Sequence, residues 1–467
     1  MTGVSSPYPS LSDLHALGAA QQPQYPDASE VGRVVEALRR RPPLVFAGEV
    51  DELRGRIAEA AAGRAFILQA GDCAETFDNV TAVNIKNSLR VQLSMALVLQ
   101  YAAQVPVVKV GRIAGQYAKP RSSDSETREG VTLPSYRGDA VNGLDFDEAS
   151  RRNDPQRLVE VYNASAATLN LVRAFVNGGF ADLRTVHSWN SEFVRSSAIE
   201  ARYEALAAEI ERALAFMITC GIGGDQLRTI HYYASHEALL MEYEHALTRI
   251  DSRTGTPYGT SGHMLWIGER TRQLDGAHVE LLSRLRNPIG VKVGPTVSPS
   301  DAVALVERLD AQHEPGRLTL ISRMGADKVR DVLPPIVEAV EATGRKVAWV
   351  CDPMHGNTFS TSNGYKTRSF DRVWAEVDGF FDVHAALGTW PGGVHVELTG
   401  NDVTECVGGA QELSEENLAQ AYESACDPRL NRNQSLELAF YLAQRLNDDM
   451  IARGENPVQA FEPHELA

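Results

Sequence analysis

Nine short β-rich runs, with glycine or a charged residue at or near the end of most, recur between residues 65 and 400, and their rhythm sets what the chain can fold into. They are AFILQAGD (65–72), VPVVKVGRIAG (105–115), LRTVHSW (183–189), TIHYYASHE (229–237), HMLWIGERT (263–271), NPIGVKVGPT (287–296), RLTLISRMG (317–325), KVAWVCDP (346–353) and GGVHVELTG (392–400). Amphipathic segments separate them. In SPSDAVALVERLD, Ser298 suits a helix N-cap, Pro299 the first helical position and Asp301 the positive end of the helix dipole. Strand, helix, strand repeated in this way implies parallel strands joined by crossovers.

An open doubly wound sheet would take nine strands, whereas an eightfold barrel has room for one fewer. No GxGxxG or GxxxxGK[ST] follows the first run, as a nucleotide-binding sheet would require. Chemically capable side chains stand at the C-terminal ends of nearly all the runs, and only a closed barrel gathers those ends at one mouth. The expected fold is therefore an α/β (β/α)8 TIM barrel, placed at 64–450. Residues 150–225 are largely helical and break the rhythm, so LRTVHSW is assigned to an inserted helical subdomain. Residues 1–63 form an N-terminal extension: an arm rich in Ser, Pro, Gln and Ala over 1–30, then two amphipathic helical stretches, 30–41 and 49–63. A tail follows at 451–467.

Composition narrows the function. A hydrophobic fraction of 43% supports a large core, yet no segment reaches the roughly 18 apolar residues of a membrane span. The net charge of −16 argues against nucleic acid or an anionic membrane as partner. The N-terminus lacks the basic start and apolar block of a signal peptide, and the five cysteines are odd in number and widely spread, so the expectation is a cytoplasmic protein whose cysteines are ligands or thiols.

Any anion handled by so acidic a chain must be held by a local basic cluster. Arg112, Lys119 and Arg121 come in KVGRIAGQYAKPRS, Arg270 follows WIGE, Lys292 sits in VKVGP and Arg323 comes near the end of RLTLISRMG. One such arginine is usually a rim ion pair; six converging on one mouth point to phosphate or carboxylate groups. In VKV, alternation turns Lys292 toward the barrel axis if its valines pack outward. Cys73, His355, Glu397 and Asp427 form a second set, suited to a borderline divalent metal. Taken alone, Cys73 could equally be a small buried hydrophobe and His355 a turn histidine. Cys351 and His355 stand four apart, but Pro353 after a β-rich run argues against a helical pair and returns Cys351 to the core. His395 reads as a hydrogen-bonded core histidine and Cys220 as helix packing.

The blocks GDCAETF, KVGRIAGQYAKPRS, WIGERTRQLDGAH, GVKVGPT, SRMG, CDPMHGNT, VHVELTGNDVTECVGG and CDPRLN, in this order, resemble the class II 3-deoxy-D-arabino-heptulosonate 7-phosphate (DAHP) synthases over roughly residues 30 to 450. That family of transferases catalyses the first step of the shikimate pathway. The resemblance implies a metal, Mn2+ or Co2+ before Zn2+ or Fe2+, on Cys73, His355, Glu397 and Asp427. It implies a phosphoenolpyruvate pocket of Arg112, Lys119, Glu269, Arg270, Lys292 and Arg323, with the phosphate of erythrose 4-phosphate on Arg121 and Ser122. Lys119 would protonate the aldehyde oxygen and Glu269 would position a water. It further implies a homodimer or homotetramer, allosteric control by aromatic amino acids and a chorismate mutase partner. A disulfide between Cys73 and Cys426 would remove a metal ligand on oxidation. Two other readings share these features: a different metal-dependent phosphosugar aldolase, and a non-catalytic regulatory homologue.

Overall fold

Eight of the nine β-rich runs build one closed sheet. The computed structural model describes residues 8–178 and 230–454, together with Arg212, Ala215, Phe216 and Thr219; LRTVHSW and Cys220 lie outside the described residues. The strands are β1 (Phe66–Gly71), β2 (Val107–Arg112), β3 (Tyr233–Glu237), β4 (Met264–Ile267), β5 (Ile289–Val293), β6 (Leu318–Ser322), β7 (Ala348–Cys351) and β8 (Gly393–Glu397). All pair in parallel, each with its sequence neighbours, and β8 returns to β1 to close the barrel.

Side chains alternate across each strand, as the pleat requires. Phe66, Leu68 and Ala70 of β1, Val291 and Val293 of β5 and Val394 and Val396 of β8 belong to a buried cluster shared with the surrounding helices. Ile67, Val108, Val110, Met264, Trp266, Ile321 and Val350 gather in a separate cluster. Leu53, Ile57 and Ala60 of the helix Ala47–Ala61 belong to that second cluster, so this helix closes the N-terminal end of the barrel and leaves the C-terminal mouth open. The connecting helix Pro299–Leu309 starts as its sequence implies: Ser298 and Asp301 form a capping box and Pro299 takes the first turn. A cap of this kind contributes about 1 kcal/mol.

The N-terminal extension is more ordered than its composition suggests. Residues Leu11–Ala16 form a helix capped by Ser10, and Leu14 is fully buried. A six-residue helix with one buried side chain leaves no periodicity to read. The first of the two longer helices is Ala28–Arg39, capped by Asp27, two residues earlier than its sequence pattern places it. Of the helical insertion, Arg157–Asn177 is described as one helix. Among the described residues no helix is long and apolar enough to cross a membrane.

Candidate active site

Cys73 follows β1, His355 follows β7, Glu397 ends β8, and Asp427 lies on the long loop beyond β8. The ligand atoms of Cys73, Glu397 and Asp427 lie within 4.8 Å of one another, and His355 Nε2 is 3.2 Å from Glu397 Oε1. Cys73, Glu397 and Asp427 therefore meet at one point of the mouth, and His355 stands beside them at Glu397. Lys119 Nζ stands among them, 3.1 Å from Cys73 Sγ, 2.7 Å from Asp427 Oδ2 and 3.5 Å from Glu397 Oε1. Three potential anions thus converge on one positive charge. Burial alone would lower the Lys119 pKa, but the Asp427, Cys73 and Glu397 charges raise it well above the ordinary lysine value. One thiol and two carboxylates, buried and gathered within 4.8 Å, with an imidazole beside one of the carboxylates, suit a borderline divalent ion.

His355 is oriented by a carboxylate that sequence reading passed over. Asp352, fully buried, lies 2.7 Å from His355 Nδ1 and is ion-paired with Lys292. Burial would raise its pKa; His355 and Lys292 hold it well below the usual carboxylate range. An ionised carboxylate only accepts, so Nδ1 donates to Asp352 and Nε2 is the nitrogen turned toward Glu397. Glu397 is steadied on its other side by the buried Arg368, whose Nη2 is 2.8 Å from Oε2. Arg429 ties the loop carrying Asp427 to the barrel through Glu405 (2.8 Å) and Asp72 (3.1 Å).

One layer deeper a polar chain crosses the barrel. Gln69 Nε2 donates to Ser235 Oγ (3.0 Å), which leaves Gln69 Oε1 as acceptor for His395 Nδ1 at 2.8 Å. His395 Nε2 then accepts from Arg112, which also reaches Glu397 Oε1 at 3.0 Å. Arginine can only donate, so this imidazole is neutral; burial, aided by Lys292 and Arg112, holds its pKa well below the ordinary value. His395 is thus the hydrogen-bonded core histidine expected from the sequence, and Cys351 packs in the outer core.

Above this layer lies a cavity of about 200 Å³, lined by Arg112, Lys119, Arg121, Ser122, Glu237, Glu269, Arg270, Lys292, Arg323, His355, Lys366 and Asp427 among others. The structure brings every residue proposed for the two anionic substrates to this one cavity. Arg323 also donates to the carbonyl of His355 at 3.0 Å. Burial lowers the Lys292 pKa to about 8 against the pull of Asp352. Glu269 Oε1 accepts from Arg272 at 2.8 Å, whereas its Oε2 is buried with no hydrogen-bond partner among the described residues. The same holds for Glu237 Oε1, and burial raises the pKa of that carboxyl.

The loops are fixed from beneath. Glu75 accepts from the amides of Ala114 (2.9 Å), Gly115 (2.9 Å) and Gln116 (2.8 Å), which holds the turn leading to Lys119 even though Ala114 sits at φ +60°. Glu376 accepts from Gly325 N (2.8 Å) and Asn357 Nδ2 (2.7 Å), clamping the loop after Arg323 to the loop after His355. Gly268 has no room for a side chain: a Cβ there would lie 2.1 Å from Glu237 Oε1.

The profile of the Class-II DAHP synthetase family matches residues 9–443. The chain belongs to that family. It is 62% identical over 432 residues to the phospho-2-dehydro-3-deoxyheptonate aldolase of Streptomyces coelicolor, covering 92% of this chain and 96% of that protein. It is 55% identical over 456 residues to the phospho-2-dehydro-3-deoxyheptonate aldolase AroG of Mycolicibacterium smegmatis, covering 95% and 97%. A solved phospho-2-dehydro-3-deoxyheptonate aldolase from Francisella tularensis shares 16% identity at a TM-score of 0.46 over 88% of this chain and 96% of its own, a likeness on which nothing here depends.

Within this class-II chain, the site residues missed from sequence fall into two kinds. Glu237 and Asp352 stand at the ends of β-rich runs, the same signal that marks the others. Lys366 and Arg368 come from a hairpin, Thr358–Ser360 with Lys366–Arg368, and carry no strand-end signal. Among the described residues Cys73, Cys351, Cys406 and Cys426 are free thiols.

Proposed function

We propose that the chain performs its family's reaction, the condensation of phosphoenolpyruvate with erythrose 4-phosphate and water to give DAHP and inorganic phosphate, the entry step of the shikimate pathway. One observation carries this reading: seven Arg and Lys side chains, against three carboxylates, line one cavity directly beside the Cys73, His355, Glu397 and Asp427 set. That composition suits two anionic substrates held together against their mutual repulsion.

The four ligands would hold Mn2+ or Co2+, which when bound supplies Lewis acidity toward the acceptor aldehyde. The chain's own residues do the rest. Arg112, Arg270, Lys292 and Arg323 bind the phosphate and carboxylate of phosphoenolpyruvate; Arg121 and Ser122, on the rim, take the phosphate of erythrose 4-phosphate. As C3 of phosphoenolpyruvate bonds to the aldehyde carbon, the developing alkoxide takes a proton from Lys119. An alkoxide is basic enough to do so despite the raised lysine pKa. Positive character then develops at C2, and Glu269, through its unpartnered oxygen, orients the water that adds there. The adduct expels phosphate by C–O cleavage and leaves the ketone, so the water oxygen stays on carbon.

Running the reaction in heavy-oxygen water tests this route. The expected result is a seven-carbon phosphorylated keto acid in the mass spectrum together with unlabelled phosphate. Label in the phosphate would mean attack at phosphorus and would sink the mechanism.

A further inference from the structure

The cavity rim is built partly by the N-terminal arm, which the mechanism leaves unused. Gln21 lies 100 residues before Arg121, yet its side-chain Oε1 accepts from the Arg121 backbone amide at 2.8 Å. Its own backbone is held at φ +62°, a left-handed conformation that is strained for a non-glycine residue. The arm is clamped on either side of this contact. Gln22 Nε2 donates to Leu239 O at 2.8 Å and Gln22 Oε1 accepts from Met241 N at 3.0 Å, which fastens the arm to the exit of β3. Asn153 Nδ2 donates to Gln24 O at 2.9 Å, and Arg137 Nη1 reaches Gln21 O at 3.4 Å.

The KPRS segment itself has few anchors. Lys119 N donates to Arg137 O at 2.8 Å, Pro120 has no amide to offer, and Arg121 N depends on Gln21. Among the described residues the Arg121 guanidinium makes no hydrogen bond or ion pair, so its backbone alone sets where that charge stands over the cavity.

We propose that Gln21 is a positioning residue for the aldose phosphate, placing Arg121 and Ser122 through the Arg121 amide and so making the N-terminal arm part of the acceptor subsite. This rests on the assignment of Arg121 and Ser122 to the acceptor phosphate. Removing the acceptor oxygen frees the rim to shift, and the loss falls on the phosphate that the rim binds. The phosphoenolpyruvate groups Arg112, Arg270, Lys292 and Arg323, which lie on or just after β2 and β4 to β6, make no hydrogen bond with Gln21.

The test is steady-state kinetics with each substrate varied in turn on Gln21→Gly, Gln21→Met and Arg121→Ala, with thermal midpoints as a folding control. Glycine accepts the positive φ without strain, so Gln21→Gly removes only the side chain; methionine keeps the bulk without the acceptor. Loss of one hydrogen bond predicts a KM for erythrose 4-phosphate raised about 5- to 10-fold in both Gln21 variants, with kcat and the KM for phosphoenolpyruvate within about twofold. Arg121→Ala should raise the same KM further. If Arg121→Ala raises it and neither Gln21 variant does, the role of Gln21 is overturned while the acceptor site stands. If Arg121→Ala leaves it unchanged, the acceptor assignment falls and this inference with it. A parallel rise in both KM values would mark Gln21 as merely structural and also overturn the proposal.

Discussion

Asp352 shows how much a single unassigned side chain carries. It accepts from His355 Nδ1 and pairs with Lys292, so it fixes an imidazole on one side and a cavity-lining ammonium on the other. Asp352→Asn keeps the shape but loses the charge. Metal titration followed by calorimetry should show affinity weakened about 10- to 100-fold, the usual effect of losing a carboxylate behind a ligating histidine. Unchanged affinity would separate His355 from the ligand set. Lys119 is the second residue-scale case. Lys119→Met removes the only proton donor assigned to the aldehyde oxygen, so kcat should fall about 10²- to 10⁴-fold while a metal titration shows the ion still bound.

At the scale of elements, the strands place the chemistry and the glycines make room for it. Gly268, at the end of β4, is such a position: Gly268→Ala would drive its methyl into Glu237. The expected outcome is a loss of kcat/KM for phosphoenolpyruvate with a melting temperature lowered by only a few degrees, because the displaced carboxyl lines the cavity and not the core. The helix Phe370–Leu387 gives a pH prediction. Its His384 is buried, and burial, with Arg453 adding to it, holds the pKa down at about 3. Between that value and the ordinary 6.5 the unfolded chain binds a proton that the folded chain refuses. Its contribution to stability is therefore full above pH 6.5 and is lost as pH falls toward 3. Denaturant midpoints should fall from about pH 7.5 to about pH 5 by an amount worth on the order of 2 kcal/mol, and His384→Gln should flatten that slope.

Those same elements show what the sequence makes legible. The period-two runs locate all eight strands, and alternation in VKV correctly turns Lys292 inward, because burial of one strand face is written locally in side-chain type. The four-residue spacing of Cys351 and His355 is resolved by Pro353 alone. Contacts across the fold are another matter. Nothing in QQ at Gln21 and Gln22 announces a hydrogen bond to Arg121, and nothing in the hairpin sequence announces that Arg368 will reach Glu397. Such pairings depend on which loops the closed barrel brings together, and that information is spread over the whole chain.

For the whole molecule, barrel closure does the work that no single motif could. Helix Ala47–Ala61 seals one end, and the strand ends and following loops at the other gather acidic, thiol and basic side chains drawn from residue 73 to residue 427. These two sets are proposed to act as one site, on two substrates, with a metal. Phosphate release from phosphoenolpyruvate, followed with and without erythrose 4-phosphate and with and without a strong chelator, tests it most directly. Release is expected only when both aldehyde and metal are present, with almost none from Cys73→Ser. Release that continues without the aldehyde, or that ignores the chelator, would contradict it.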